Sequence, residues 1–335
     1  MPKISIIVPV YNRPEEIDEL LESLTKQTDN DFEVLVVEDG SSVPCQDICT
    51  AYQNRLDVKY LPKQHSGQYQ SRNYGAERSS GDYLLMIDSD TTLHSHYIET
   101  LKKELQQNYC SAYGAPDKAS ENFSDMQKAV DYAIKSFFHI GCIVERKNTT
   151  ERFCPRSFNL GISREAFFAV KGFSSVRYGG DIDLNIKLHK AGYSIRTIDS
   201  LYVYHKRRTD MEQFFNSARL AGNARINIWR KHQDYQGALK IVHFLPSIFT
   251  VSCLLFAFLG LFASKYWVPI FLFALIVLAD ATLRNKKNFK IGLWAVVASF
   301  AQLLGYGIGF LDQLIKYLRQ KWLSSKKTSK HTTHK

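Results

Sequence analysis

The first ninety residues alternate between short, nearly unbroken apolar runs and segments with helical spacing. ISIIVPV (4–10), FEVLVV (32–37), VKYL (58–61) and YLLMI (83–87) are aliphatic and largely β-branched, as expected of parallel strands buried on both faces. Between them lie helical patterns over 14–27, with Ile17, Leu20, Leu21 and Leu24 on one face, and over 45–56 and 67–79. Strand, helix, strand at this spacing predicts right-handed crossovers and an α/β fold with a doubly wound, mostly parallel sheet.

Beyond residue 90 the pattern loosens. A helix is predicted over 95–107, then a weakly patterned stretch to about 155, a strand at 158–162, a helix at 181–191 and short strands at 194–198 and 201–205. The segment 210–231 reads as a cationic helix with Met211, Phe214, Phe215, Ala218 and Trp229 roughly on one side, suited to a membrane interface. Residues 241–264 and 291–311 contain no Asp, Glu, Lys or Arg, and 266–283 carries only Asp280, so each approaches the ~20 residues of a membrane-crossing helix. Leu311, Leu314, Ile315, Leu318 and Trp322 continue as an amphipathic helix. The predicted organisation is a soluble domain (1–205), a cationic linker helix (206–240), a membrane region (241–323) and a basic, disordered tail (324–335).

Charge refines this picture. The net charge of +10 is concentrated: 206–240 holds eight Lys or Arg against three acids, and the residues after Leu311 seven against one. Cations flanking membrane segments mark the cytosolic, anionic-lipid side, so the expected partner is a membrane surface and not nucleic acid. The N-terminus MPKISIIVPVYN lacks the pattern of a signal peptide, which puts the soluble domain on the cytoplasmic face of the cell (inner) membrane. Six cysteines without a C-x-x-C pair suggest no disulfide framework, and Cys45 and Cys49 read as structural. One conflict remains in the topology: a full third crossing would place the basic tail outside, against the charge rule. Either the segment bearing Gly305, Gly307 and Gly309 is re-entrant or interfacial, or the rule is broken.

In open parallel sheets, ligands bind beyond the carboxyl ends of the strands, near the switch in strand order. Three strands here end in conspicuous polar residues: Tyr11 and Asn12, Glu38 and Asp39, and Asp88 and Asp90. In extended backbone Asp88 and Asp90 point to the same side. Two adjacent carboxylates repel unless one is protonated or a cation lies between them, and a hard divalent ion suits that place. Capping of the next helix is the competing role.

The ordered set SIIVPVYNR, VVEDGS, QSRNYGAERSSGDYLLMIDSD, FNLGISREAFFAVKGF and GGDIDLNIKLHKAGY resembles the inverting glycosyltransferases of family 2, which have the GT-A fold. The resemblance covers the soluble domain, and the membrane-anchored C-terminus is similar to bacterial members that build exopolysaccharide or other surface glycans. It implies that Pro9, Tyr11 and Asp39 hold the nucleotide base and ribose, and that Arg72 approaches the phosphates. Asp88 would meet ribose or metal, and Asp90 would bind the metal, Mg²⁺ or Mn²⁺. Asn159 and Gly161 match positions lining the donor sugar, and Arg164 begins the next helix. His205 ends the last strand, where some such enzymes place a third metal ligand; His94 and His96 read as solvated.

For the catalytic base the resemblance points to Asp181, with Gly180 in place of the usual glutamate and Asp183 as the competing candidate. The implied reaction moves one sugar from a nucleotide-diphosphate sugar, a UDP-sugar by expectation, to a hydroxyl of a lipid-linked (polyprenyl) glycan. The alternative acceptor is a polyprenyl phosphate, already ionised and less demanding of a base. The motif of processive synthases, Q-x-x-R-W, is not matched by NARINIWRK, which favours single-sugar transfer. A non-catalytic scaffold is disfavoured by the joint presence of Asp39, Asp88, Asp90 and Asp181.

Overall fold

A computed structural model of the chain describes residues 2–118, 123–136, 155–176, 178–206 and 210–332. They form two compact units, one comprising 1–121 with 150–206 and the other 122–149 with 207–335.

The first unit is built on a seven-stranded sheet of order β3-β2-β1-β4-β8-β6-β9. Its strands are β1 (Ile4–Val10), β2 (Phe32–Asp39), β3 (Asp57–Lys63), β4 (Tyr83–Ile87), β6 (Ala112–Gly114), β8 (Asn159–Ser163) and β9 (Ile195–Thr197). β1 pairs in parallel with both β2 and β4, and β3 extends β2 in parallel. β8 runs antiparallel to both β4 and β6, so the sheet is mostly, not wholly, parallel. A second sheet of three short strands, in the order β5-β10-β7, joins β5 (Thr91–Leu93), β7 (Asp117–Lys118) and β10 (Val203–His205).

The apolar runs are buried on both faces because helices cover both. Ile4, Ile6 and Val8 of β1 pack with α1 (Pro14–Leu24), α2 (Gln46–Tyr52) and α4 (Tyr97–Gln107), whereas Ile7 faces α3 (Gln68–Arg78). The same alternation assigns Val34 and Val36 to one core and Leu35 and Val37 to the other. On the α3 side lie also α6 (Arg164–Ala169) and α7 (Gly180–Lys190). Burying such strands fully costs no polar group, since the ladder satisfies the backbone.

Charged groups are buried in β2 as well, Glu33 most completely. Glu33 of β2 is fully buried, and accepts hydrogen bonds from the Ser5 hydroxyl (2.6 Å), from the Ser80 amide and hydroxyl, and from Lys59. Burial pushes its carboxyl up, but Lys59, Ser5 and Ser80 outweigh it and hold the pKa at about 2.

The second unit consists of α5 (Asp125–Lys135), α8 (Met211–Lys231), α9 (Leu245–Gly260), α10 (Val268–Arg284) and α11 (Phe289–Thr332). Three segments are long and apolar enough to cross a membrane: Gln236–Gly260, Ser264–Arg284 and Phe289–Ser324. The third lies in one continuous helix, and the glycines do not break it; a re-entrant turn at 305–309 is excluded. They are notches for close packing instead. A Cβ on Gly305 would stand 2.7 Å from the Phe215 carbonyl, one on Gly307 2.1 Å from the Thr250 hydroxyl, and one on Gly309 1.9 Å from the Arg219 carbonyl. Helices approach this closely in membranes through small residues. The 210–231 face expected to rest on a membrane surface is thus largely taken by α11: Phe214 packs with Ala298, and Ile226 with Tyr306 and Phe310. α5, in the weakly patterned stretch, starts with a capping box in which Ser124 and Gln127 exchange hydrogen bonds. Its Tyr132 donates to Asp280 (2.7 Å), and its Ala129 packs with Val277 and Ala281.

The depressed pKa of Glu33 predicts an acid limb. Its contribution is fully present above the ordinary value near 4.5 and is lost as pH falls toward about 2. Glu33→Gln should flatten that limb and cost roughly 3 kcal/mol at neutral pH. Because all four tryptophans lie at or beyond residue 229, the check is amide hydrogen exchange of β1 and β2, not tryptophan fluorescence; unchanged protection between pH 5 and 3 would contradict it.

Candidate active site

The carboxyl ends of β1, β2 and β4 lie side by side, with the reversal of strand order between β1 and β4. The loops after them carry most of the expected site residues. Asp39 ends β2, almost entirely buried. Its Oδ1 accepts from the Ser66 amide (2.9 Å) and Lys63 (2.6 Å), and its Oδ2 from the Gly67 amide (2.8 Å). Burial raises its pKa, but Lys63 and the two amides more than reverse this and hold it below the ordinary range. Asp39 therefore shapes the 64–67 loop from beneath. Above it Tyr11, half exposed, sits 4.7 Å from the ring of His65 at a 44° tilt. Pro9 stays within β1, paired in register with Val37. Asn12, with φ of 53°, accepts from the Ser42 and Val43 amides and ties the first loop to the second.

Asp88 and Asp90 are not in extended backbone, contrary to the same-side argument from strand periodicity. The chain turns there, with the Thr91 amide and hydroxyl both donating to the Asp88 carbonyl, at 3.3 and 2.7 Å. The turn leads into β5, and β5 pairs with β10 so that His205 stands opposite Thr91. This register delivers His205 to the acids: one donor atom from each of Asp88, Asp90 and His205 lies within 4.8 Å of the others. His205 Nε2 is 3.1 Å from Asp90 Oδ1, and Arg13 pairs with Asp90 Oδ2. Burial pushes the Asp90 carboxyl up, but the bonds and charges of His205 and Arg13 bring it well below the ordinary range.

The set fits a divalent ion. Two carboxylates and an imidazole are donors for Mg²⁺ or Mn²⁺, the imidazole suiting the softer Mn²⁺ better. Asp90 is ionised at neutral pH and binds without first losing a proton.

Arg72 of α3 is fully buried. It pairs with Asp88 and lies over the rings of Tyr69 and Phe173, 5.7 and 5.8 Å from their centroids. Its Nε and Nη1 have no hydrogen-bond partner among the described residues.

Asp181 stands in the first turn of α7, partly exposed. Its Oδ1 accepts from the Tyr69 hydroxyl (3.2 Å) and the Ile182 amide (3.2 Å). Asp183, two residues on, is fully buried, and Ser174 donates to it (2.6 Å) while Lys187 lies 3.6 Å away. Of the two candidates, only Asp181 faces outward.

Other expected residues are buried or engaged in the surrounding structure. Asn159 is buried in β8, accepting from Tyr97 and donating to the Leu201 carbonyl (2.7 Å). Gly161 lies mid-strand, where a Cβ would stand 1.9 Å from the Tyr113 ring. The antiparallel run of β8 sets Asn159 opposite Ile87, at the carboxyl end of β4, and Gly161 further inside the sheet opposite Leu85. Arg164 binds the Gly81 and Ala76 carbonyls (2.8 and 3.3 Å) and so fixes the end of α3. His94 contacts the Ser200 carbonyl and stacks on Tyr202, and His96 pairs with Glu99. Cys45 and Cys49 are buried free thiols. Sequence reasoning missed Arg13, His65 and Tyr69; only Arg13, inside the quoted SIIVPVYNR, had a signal.

The family model for glycosyl transferase family 2 matches residues 5–169. Those residues are a family 2 glycosyltransferase domain. The chain is thus a glycosyltransferase, and named relatives agree. It is 27% identical over 215 residues to glycosyltransferase GlyG of Streptococcus pneumoniae, covering 61% of this chain and 71% of that one. It is 24% identical over 245 residues to the GalNAc(5)-diNAcBac-PP-undecaprenol β-1,3-glucosyltransferase of Campylobacter jejuni, covering 72% and 74%. Against an uncharacterized glycosyltransferase of Rickettsia bellii the identity is 33%, but over only 32% of this chain and 15% of that one. Among solved structures, a mannosyltransferase of Pyrobaculum calidifontis, in complex with GDP-Man and Mn²⁺, shares the fold with a TM-score of 0.66. The identity is 16%, over 90% of this chain and 87% of the other. The glycosyltransferase domain thus has the GT-A fold expected from its motifs.

If Asp88, Asp90 and His205 hold a cation, Asp90→Ala should weaken Mn²⁺ binding at least about tenfold in calorimetric titration of the full chain. Unchanged Mn²⁺ affinity would remove Asp90 from the ligand set.

Proposed function

We propose that the enzyme moves one sugar from a nucleotide-diphosphate sugar to a hydroxyl of a lipid-linked glycan, with inversion, on the cytoplasmic face of the cell membrane. The observation that carries this reading is the pairing of two unlike sites at one end of the sheet: a cation-ready Asp88, Asp90, His205 cluster, and an outward carboxylate at Asp181, bridged by Arg72 and Tyr69.

The proposed chemistry follows from charge. Breaking the sugar bond leaves negative charge on the diphosphate, and the buried Arg72, with two unengaged nitrogens, is ready to receive it. A divalent cation held by Asp90, Asp88 and His205 supplies further neutralisation of the leaving group when bound. Asp181, in the first turn of a helix, accepts the proton of the attacking hydroxyl. Tyr11 with His65 forms the aromatic pair against which a nucleotide base can stack. The lipid-linked acceptor is supported by the apolar helices of the second unit and by the undecaprenol-linked substrate in the name of the Campylobacter relative. The cytoplasmic placement is supported by the basic loop Arg284 to Lys290 between the second and third candidate spans.

The test is nucleotide release by membranes containing the chain, with UDP-glucose, UDP-galactose, UDP-N-acetylglucosamine and GDP-mannose as donors. At least one should turn over, EDTA should abolish it, and Asp181→Asn should lower the rate about 10³-fold. No turnover with any donor, or full turnover by Asp181→Asn, would overturn the reading. Transfer to added undecaprenyl phosphate, in place of glycan-extended lipid, would replace the hydroxyl acceptor by a phosphate.

A further inference from the structure

The position before Asp181 carries glycine where the resemblance leads one to expect glutamate, and the surrounding packing explains it. A Cβ built on Gly180 would stand 2.8 Å from Cδ2 and Cε2 of Tyr69 and 2.9 Å from its Cδ1. Side-chain carbons do not approach so closely, so the Tyr69 ring fills the space that a residue at 180 would need. The ring is itself held in place, stacked on Phe173 with centroids 5.2 Å apart and with the Arg72 guanidinium over it. Tyr69 is 5% exposed. From that fixed ring the hydroxyl donates to Asp181 Oδ1 at 3.2 Å. The Ile182 amide donates to the same oxygen, and no described residue donates to Oδ2. One oxygen of Asp181 is anchored twice, and the other is left open.

We propose that Tyr69 is a positioning residue for Asp181, taking over the place and the supporting function of the missing acidic neighbour. The inference rests on the reading of Asp181 as base. Anchoring Oδ1 fixes the plane of the carboxylate and presents Oδ2 to the acceptor hydroxyl. A neutral donor does this differently from a glutamate. A second carboxylate beside Asp181 would repel it, whereas the phenol donates a hydrogen bond to it. The phenol remains a donor across the working range, because burial, reinforced by the charge of Asp181, pushes its own ionisation well above the ordinary value. No proton passes through Tyr69; it keeps its hydrogen throughout, and the acceptor's proton goes to Oδ2. The same ring lies against Arg72, which pairs with Asp88, so base and leaving-group sides share one rigid support.

The experiment compares the full chain with Tyr69→Phe, Gly180→Ala and Asp181→Asn in membranes, using whichever of UDP-glucose, UDP-galactose, UDP-N-acetylglucosamine or GDP-mannose turns over. Tyr69→Phe keeps the ring and removes only the donor. It should lower kcat about 10- to 100-fold with the donor KM nearly unchanged. Gly180→Ala, which pushes the ring from the other side, should reproduce the kcat loss, and in a Tyr69→Ala background, where the space is free, should cost no more than twofold. A Tyr69→Phe enzyme with unchanged kcat, beside an inactive Asp181→Asn, would overturn the positioning role and leave the base standing. An active Asp181→Asn would remove the base and the inference with it. If Tyr69→Phe fails to fold, Gly180→Ala in the otherwise unchanged chain decides: unchanged kcat beside an inactive Asp181→Asn would refute the positioning role.

Discussion

A guanidinium with no exposed surface and a single carboxylate partner is costly unless its surroundings repay it. Arg72 is such a group, and the first unit is arranged around its needs. Asp88 supplies the opposite charge, from the turn after β4, and Tyr69 and Phe173 supply aromatic faces. The residues that satisfy it come from α3, from the end of β4 and from the stretch before α7. The turn after β4 also carries Asp88 and Asp90 of the cation-ready cluster, and the stretch before α7 leads to Asp181. Two of its nitrogens find no partner among the described residues, which is an unstable economy for a folded protein alone and a sensible one for a site that receives an anion.

How far this was legible in the sequence depended on the range of the contacts. The strands of the first ninety residues announced themselves, because burial on both faces forces continuous apolar runs, and the helices between them kept their period. The meeting of His205 with Asp90 was only half legible. It is fixed by the ladder between β5 and β10, and a three-residue strand such as Thr91–Leu93 has too little pattern to be seen. Strand periodicity was the wrong rule for Asp88 and Asp90, where the hydrogen bonds of Thr91 bend the chain. Asn159 and Gly161 matched positions of the family, but local sequence does not say which face of an antiparallel strand meets Tyr97 and Tyr113. The helix Asp125–Lys135 was signalled by Ser124 and Gln127, three apart as a capping box requires, yet its partners Val277 and Ala281 lie some 150 residues away.

In the second unit the apolar helices were legible from composition, and their packing was not. Glycines at 305, 307 and 309 suggest weakness when a helix is considered alone. In a bundle they have the opposite effect, allowing backbones to touch where the gain from apolar burial is small. Of the window defining the third candidate span 56% is buried, against 11% for the second, so the third is the spine on which the others lean. A helix of 44 residues extends about 66 Å, roughly twice the ~30 Å of a hydrocarbon core, and a single crossing leaves much of it outside.

Three D-x-D sequences occur in the domain, at 29–31, 88–90 and 181–183, and identical spacing gives the last two opposite fates. At Asp88 and Asp90 a turn draws the carboxylates to one place, where cations of the chain hold them apart from each other. At Asp181 and Asp183 a helix separates residues two apart by about 200° of rotation, so the second points into the core and is tied to Ser174. The first remains at the surface with one oxygen anchored. Spacing alone therefore cannot assign a metal site or a base; the backbone conformation decides whether two acids cooperate on one ion or divide into a structural and a chemical group. That division also explains why glycine is acceptable at 180: the support a neighbouring acid would give comes from across the fold, from an aromatic ring already fixed by a buried arginine.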